Sequence, residues 1–139
     1  QQDPPAYQKA SSMKSDELKE SVLTFGKSLR ALGVTTVGSD PEFGTDTGPF
    51  ILAGVPGINM TQDPSQYGIT HHSNADTLDK VDAAILSRNA TIEAVLAFWI
   101  ADMPGRFSSQ WPAERTRKML IDTHHDGELK AFGIWPAGW

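Results

Sequence analysis

The chain has 139 residues, a formal net charge of −5, 39% hydrophobic and 9% aromatic residues, and no cysteine. Its size and composition fit one globular domain with a hydrophobic core, and its 12 Lys and Arg are scattered, which argues against a phosphate-binding nucleic-acid groove. Without thiols there is no disulfide framework and no thiolate metal site, so any metal must sit on His, Asp or Glu.

The sequence opens on Gln1, with no charged segment leading into an apolar one, so it reads as a processed chain or a piece of a longer one. Residues 1–13, with Pro4, Pro5, Ser11 and Ser12, lack periodicity and read as an extended lead-in. A helix follows, with Ser15 as N-cap, Asp16 and Glu17 in its first turn and Leu18, Val22, Phe25, Leu29 and Leu32 at helical spacing. Gly33 ends it, and the β-branched run Val34–Val37 reads as a strand. Gly38–Gly48 is a loop by composition. Pro49 then starts a short helix through Ala53 that Gly54 terminates. Val55–Met60 reads as a buried strand leading into a loop from Thr61 to Asn74, long enough to be functional or mobile.

From Asp79 or Asp82 the positions Ile85, Leu86, Ile92, Val95, Leu96, Phe98, Trp99 and Ile100 predict a long helix ending near Met103, with its aromatics in the core. Glu93 interrupts its most apolar stretch, and no apolar run reaches the roughly 18–20 residues of a membrane span. The tail has helical stretches at Pro112–Asp122 and Glu128–Phe132, and Trp111, Trp135 and Trp139 predict that it docks on a surface. Within it, Arg115, Arg117 and Lys118 read as a solvated helix face. The domain reading is a lead-in at 1–13, a body at 14–104 and a helical tail at 105–139. The alternation of helix and strand is α/β in type, but two strands make a marginal sheet. Either further strands escape the pattern or the sheet is completed by chain outside this sequence.

Histidine occurs as two adjacent pairs, His71-His72 and His124-His125. Adjacent side chains point in different directions, so a pair supplies one ligand to a given metal. The tail pair lies in a polar turn and reads as exposed. The first pair lies in a long loop before a helix start, with Asp76, Asp79 and Asp82 nearby to orient an imidazole or balance a cation. Its alternative is a loop histidine with Asp76 and Thr77 acting as turn or cap residues. A second loop, Gly44-Thr45-Asp46-Thr47-Gly48-Pro49, sets Asp46 between glycines before a helix start, where backbone N–H groups can hold the carboxylate. Two triplets, starting at Asn59 and Asn89, fit the glycosylation pattern; neither is assigned.

The combination GTDTGPFILAGVPG (44–57), HHSNADTLDKVD (71–82) and a long alanine-rich helix resembles the C-terminal part of zinc-dependent exopeptidases of metallopeptidase family twenty-eight. The likeness covers residues 14–104 and is strongest to the carboxypeptidase Q-like branch, with bacterial leucyl aminopeptidases as further relatives. It implies the C-terminal portion of a three-layer α/β/α fold with a mixed sheet, incomplete in this chain. It also implies two zinc ions that activate a water to hydrolyse peptide bonds near a free terminus. His72, followed by Ser73 and then Asp76-Thr77, takes the place of the family's final zinc-binding histidine, with His71, Asp76 and Thr77 around it. Asp46 takes the place of an active-site hydrogen-bonding carboxylate, and Tyr67, on the loop before His72, either faces the substrate or simply packs. Thr47 stands where relatives often have His. The remaining zinc ligands and the catalytic Glu have no counterpart here.

The resemblance therefore implies a secreted or periplasmic peptidase segment that is inactive alone. Its partners are the N-terminal portion of the same peptidase and a peptide substrate, with no nucleic acid and no membrane span, and with homo-oligomerisation left open. The competing expectation is a non-enzymatic module that binds a partner or self-associates through its sheet edge and tail. A third, mononuclear metal site built from both histidine pairs is the remaining alternative.

Overall fold

The computed structural model of the chain describes residues 9–12, 20, 23, 25, 26, 28–62 and 64–139. The helix start expected at Ser15 lies outside them. The described positions between 20 and 30 are helical, as the spacing of Phe25 and Leu29 requires.

A three-stranded mixed sheet is built from β1 (Lys9–Ser12), β2 (Thr36–Gly38) and β3 (Ile58–Thr61), in the order β2-β1-β3. Strand β1 runs parallel to β2, pairing Ala10 with Val37, and antiparallel to β3, pairing Ala10 with Met60. The central strand thus lies in the segment read from sequence as a lead-in. Its four residues, Lys-Ala-Ser-Ser, carry no alternating apolar pattern, so only pairing on both sides reveals them as a strand. The other two strands begin later than expected: Val34 precedes β2 and is buried in the core instead.

Helix α1 (Gly48–Leu52) has Pro in its first turn and is closed by Gly54 at φ +76°. Helix α2 (Pro64–Thr70) occupies the stretch expected to be a loop. Its Tyr67 and Ile69 are exposed, so no apolar stripe announces it, although Pro64 is a helix-start signal. A 3₁₀ turn at Leu78–Lys80 leads into α3 (Ala83–Asp102), whose N-cap Asp82 accepts hydrogen bonds from the Ala84 and Ile85 amides at 2.8 and 2.9 Å. The tail supplies α4 (Ala113–Asp122) and α5 (Asp126–Ala131).

The core divides into two clusters. Leu29, Val34 and Ile92 are buried between α3 and the sheet, with Phe25, Leu32, Val37, Ile58, Met60 and Phe107 against them. Ile51, Trp111, Met119, Leu120 and Leu129 form the other, between α1 and the tail, joined by Phe43, Leu52, Phe107, Trp135 and Trp139. Phe107 touches both.

Helix α3 departs from its expected burial. Ile92 and Leu96 are buried and Trp99 stacks on Phe25 with ring centroids 4.4 Å apart, but Leu86 and Phe98 are exposed. Apolar residues run nearly all round this helix, so spacing alone does not select one face. For the same reason its 20 residues are, by length and composition, long and apolar enough to cross a membrane, where the sequence reading stopped at Glu93. A core helix passes the same test, and the face bearing Ile92 and Leu96 is core.

Candidate functional site

The candidate residues stand on two separate loops. Asp46 lies on the connection from β2 to α1. Tyr67, His71, His72, Asp76 and Thr77 lie on α2 and the turns that follow it.

The Asp46 loop is tightened from both sides. The Gly48 amide donates to the Thr45 carbonyl at 3.0 Å, closing a turn around Asp46. Gly48 packs tightly, since a Cβ there would come within 3.1 Å of the Phe43 carbonyl oxygen. The Thr45 and Thr47 hydroxyls lie 2.7 Å apart, and Thr47 also meets the Asn59 side-chain amide, whose nitrogen donates to its hydroxyl at 3.1 Å. Thr47 Oγ1 reaches the Glu42 carbonyl as well, at 3.5 Å. Asn59 therefore spends its amide on fixing this loop to β3. Asp46 itself is exposed at the crest, and no side chain caps α1. Among the described residues no backbone N–H holds its carboxylate as expected; the threonines and Asn59 shape the loop.

At the second loop three rings form a ladder. Tyr67 and His71 are one helical turn apart on the end of α2, with centroids 4.5 Å apart, and His71 stacks on His72 at 3.7 Å and 24°. His72 terminates the helix in the left-handed region, φ +54°, a conformation costly for a side chain with a Cβ and one that clusters at functional positions. It directs the His72 ring back against His71 and leaves both imidazoles exposed.

Beyond His72, Ser73 accepts from the Ala75 amide at 3.2 Å and donates to the Thr70 carbonyl at 2.7 Å. Thr77 donates to the Ala75 carbonyl or to Asp79 Oδ1, at 3.3 and 2.5 Å. Lys80 also binds Asp79, and these two hydrogen bonds, the Lys80 one foremost, hold the Asp79 carboxyl below its ordinary value of 3.8. Thr77 and Asp79 thus shape the turn. Among the described residues no hydrogen bond joins Asp76 or Thr77 to His72, and none joins this loop to Asp46.

The donor set does not complete a metal site. Among the described residues no group of three or more His, Cys, Asp or Glu stands close enough to hold a metal ion. The mononuclear site from both histidine pairs is therefore not assembled, and the exposed His71 and His72 have no third donor beside them among the described residues.

The tail pair behaves differently from its sequence reading. His124 is exposed at φ +62°, but His125 is half-buried at the start of α5 and packs on Phe43, ring centroids 5.1 Å apart. This contact links the tail to the base of the Asp46 loop. Its signal in sequence is weak, because nothing local to His125 points to Phe43.

A cavity of about 520 Å³ lies between the entry to β3 and the C-terminal half of α3, lined in part by Val55, Ile58, Leu96 and Ile100 with Glu93 and Arg106 at its wall. Its lining includes neither Asp46 nor Tyr67, His71, His72, Asp76 or Thr77.

Comparison with known proteins gives a consistent result. The family model described as "Peptidase family M28" matches residues 2–97. Rat carboxypeptidase Q (Rattus norvegicus) is 40% identical over 75 residues, covering 54% of this chain and 16% of that protein. Human carboxypeptidase Q (Homo sapiens) is 35% identical over 100 residues, 72% of this chain and 20% of its own length. Among solved structures, a peptidase M28 precursor from Shewanella amazonensis SB2B superposes with a TM-score of 0.67 at 26% identity, over 77% of this chain and 24% of that one. The chain spans about a fifth of the length of the curated relatives it matches.

Proposed function

Because the chain belongs to peptidase family M28, we propose that it is the C-terminal segment of a zinc-dependent exopeptidase of the aminopeptidase or dipeptidase type. In this reading His72 is a zinc ligand and Asp46 an active-site hydrogen-bonding carboxylate. Tyr67 faces the peptide substrate, and His71, by stacking between Tyr67 and His72, sets the His72 ring. The observation that carries the reading is the ladder Tyr67-His71-His72, with His72 held at φ +54° in the motif that the family resemblance singles out.

Zinc bound in a complete site supplies an activated water for peptide hydrolysis. The described residues do not fit a complete site: no three His, Cys, Asp or Glu side chains among them stand together to hold a metal. The further donors come from the N-terminal portion of the peptidase, and the isolated chain is inactive. The exposed apolar face of α3, with Leu86 and Phe98, supports this, since a helix apolar all round belongs inside a larger fold. Secretion or a periplasmic location follows from the same resemblance.

Incubating the isolated chain with zinc and a dipeptide or aminoacyl substrate tests the proposal. The expected result is no turnover. Hydrolysis abolished by His72→Ala in the isolated chain would show a complete site here and overturn the division of ligands. The same exposed α3 face favours one other reading, a self-associating module without enzymatic activity. A concentration-dependent dimer in sedimentation, lost in Phe98→Ala, together with no peptidase partner, is the outcome that reading requires.

A further inference from the structure

We propose that the C-terminal helical tail is a positioning clamp for the loop bearing Asp46, with Trp111 and Gly54 as its closest contact. The inference rests on the reading of Asp46 as an active-site carboxylate. It assigns a role to residues beyond the 2–97 segment that the family model matches.

The tail grips the segment 43–54 at both ends and in its middle. At the C-terminal end the Trp111 amide donates to the Gly54 carbonyl at 2.8 Å, and Gln110 Nε2 donates to the Ala53 carbonyl at 2.8 Å. Trp111 comes so close that a Cβ on residue 54 would lie 2.3 Å from its carbonyl oxygen, and Gly54 stands at φ +76°, where side chains are strained. Glycine is required there on two independent grounds. In the middle, Ile51 is buried against Trp111, Met119, Leu120 and Leu129. At the N-terminal end, His125 packs on Phe43. The Arg115 guanidinium covers the outer face of the Trp111 ring, 3.8 Å from its centroid.

The loop cannot order itself. Fixing a Gly- and Thr-rich loop costs conformational entropy, and α1, at five residues, is far below the roughly 12–15 at which an isolated helix becomes even marginally stable. Thr47 and Asn59 tie the loop to β3 from the inside, and the tail holds it from the outside. The tail's buried residues form a cluster distinct from that of α3 and the sheet, sharing only Phe107 among the described residues. It is therefore able to loosen as a local unit while the rest stays folded.

Native-state hydrogen exchange of the full chain tests the clamp at the Gly48, Ile51, Gly54 and Val55 amides, each hydrogen-bonded in this segment. Gln110→Ala removes one hydrogen bond at an exposed position and is expected to speed exchange there about fivefold. Gly54→Ala is expected to speed it by about tenfold or more, with the β1 and β3 amides unchanged. Trp111→Phe keeps the backbone bond and an aromatic ring in the pocket, and restores protection to within about twofold of the parent, where Trp111→Ala does not. Leu29→Ala, in the other cluster, is the control: it lowers protection in the sheet and α3 without this local pattern. Exchange that is unchanged in Gln110→Ala and Gly54→Ala, or that rises equally everywhere, overturns the clamp. Locally faster exchange supports it even if Asp46→Asn proves fully active in the assembled peptidase, a result that would overturn the role of Asp46 alone.

Discussion

Helix α3 carries apolar side chains on opposite faces, and truncating one on each face distinguishes packed from unpacked surface. Ile92 is fully buried, so Ile92→Ala deletes buried atoms and leaves a cavity, at a cost of about 2–5 kcal/mol. That is a large share of the roughly 5–15 kcal/mol that holds a typical domain folded. Phe98 is 70% exposed, which leaves about a third of the roughly 1.5–3 kcal/mol of a fully buried side chain at stake, or about 0.5–1 kcal/mol. The higher helix propensity of Ala offsets part of even that. Urea unfolding followed by tryptophan fluorescence measures both variants, with Trp99 reporting from the same helix. The expected order is a large drop in midpoint for Ile92→Ala and almost none for Phe98→Ala. A loss in Phe98→Ala equal to that in Ile92→Ala would refute the assignment of faces. The support that an uncovered α3 face lends to a missing peptidase portion would fall with it.

Asp82→Ala removes the acceptor of two amide hydrogen bonds at the start of α3 and is expected to cost about 1 kcal/mol by the same unfolding assay. At position 72, His72→Gly is expected to be more stable than His72→Ala by about 1 kcal/mol, because only glycine relieves the left-handed backbone; an Ala variant of equal stability would argue against φ +54°. Carboxyl titration by NMR should find Asp79 below 3.8, and Lys80→Met should move it back up. Asp126 is likewise held below 3.8, first by its hydrogen bond from Lys130. For both groups the folded value is depressed, so their stabilisation is present above 3.8 and disappears as pH falls through the lower folded values. Both pairs are solvent-exposed, so that acid-dependent loss should be small and should weaken with salt.

The helices were readable where local signals agree: Pro49 and Gly54 bracket α1, Asp82 and Pro104 bracket α3, and Pro112 opens α4. Strand β1 was not, because its identity comes from pairing with β2 and β3 and not from its own residues. Helix α2 was hidden for the opposite reason: it buries no apolar stripe, so its sequence looks like a loop. The motifs singled out Asp46 and His72 as candidates, but not what fixes their loops. Asn59, Gln110, Trp111 and His125 act on the Asp46 loop across long sequence separations, which no periodicity encodes.

The central claim is that this chain supplies His72 to a zinc site completed by the rest of an M28 peptidase. The most direct measurement is zinc content, alongside dipeptide turnover, of the peptidase assembled from this chain and its N-terminal portion, compared between the parent and His72→Ala. Zinc and turnover should both fall sharply in His72→Ala, whereas His71→Ala should retain zinc with reduced turnover. Full zinc content and full turnover in His72→Ala would contradict the account.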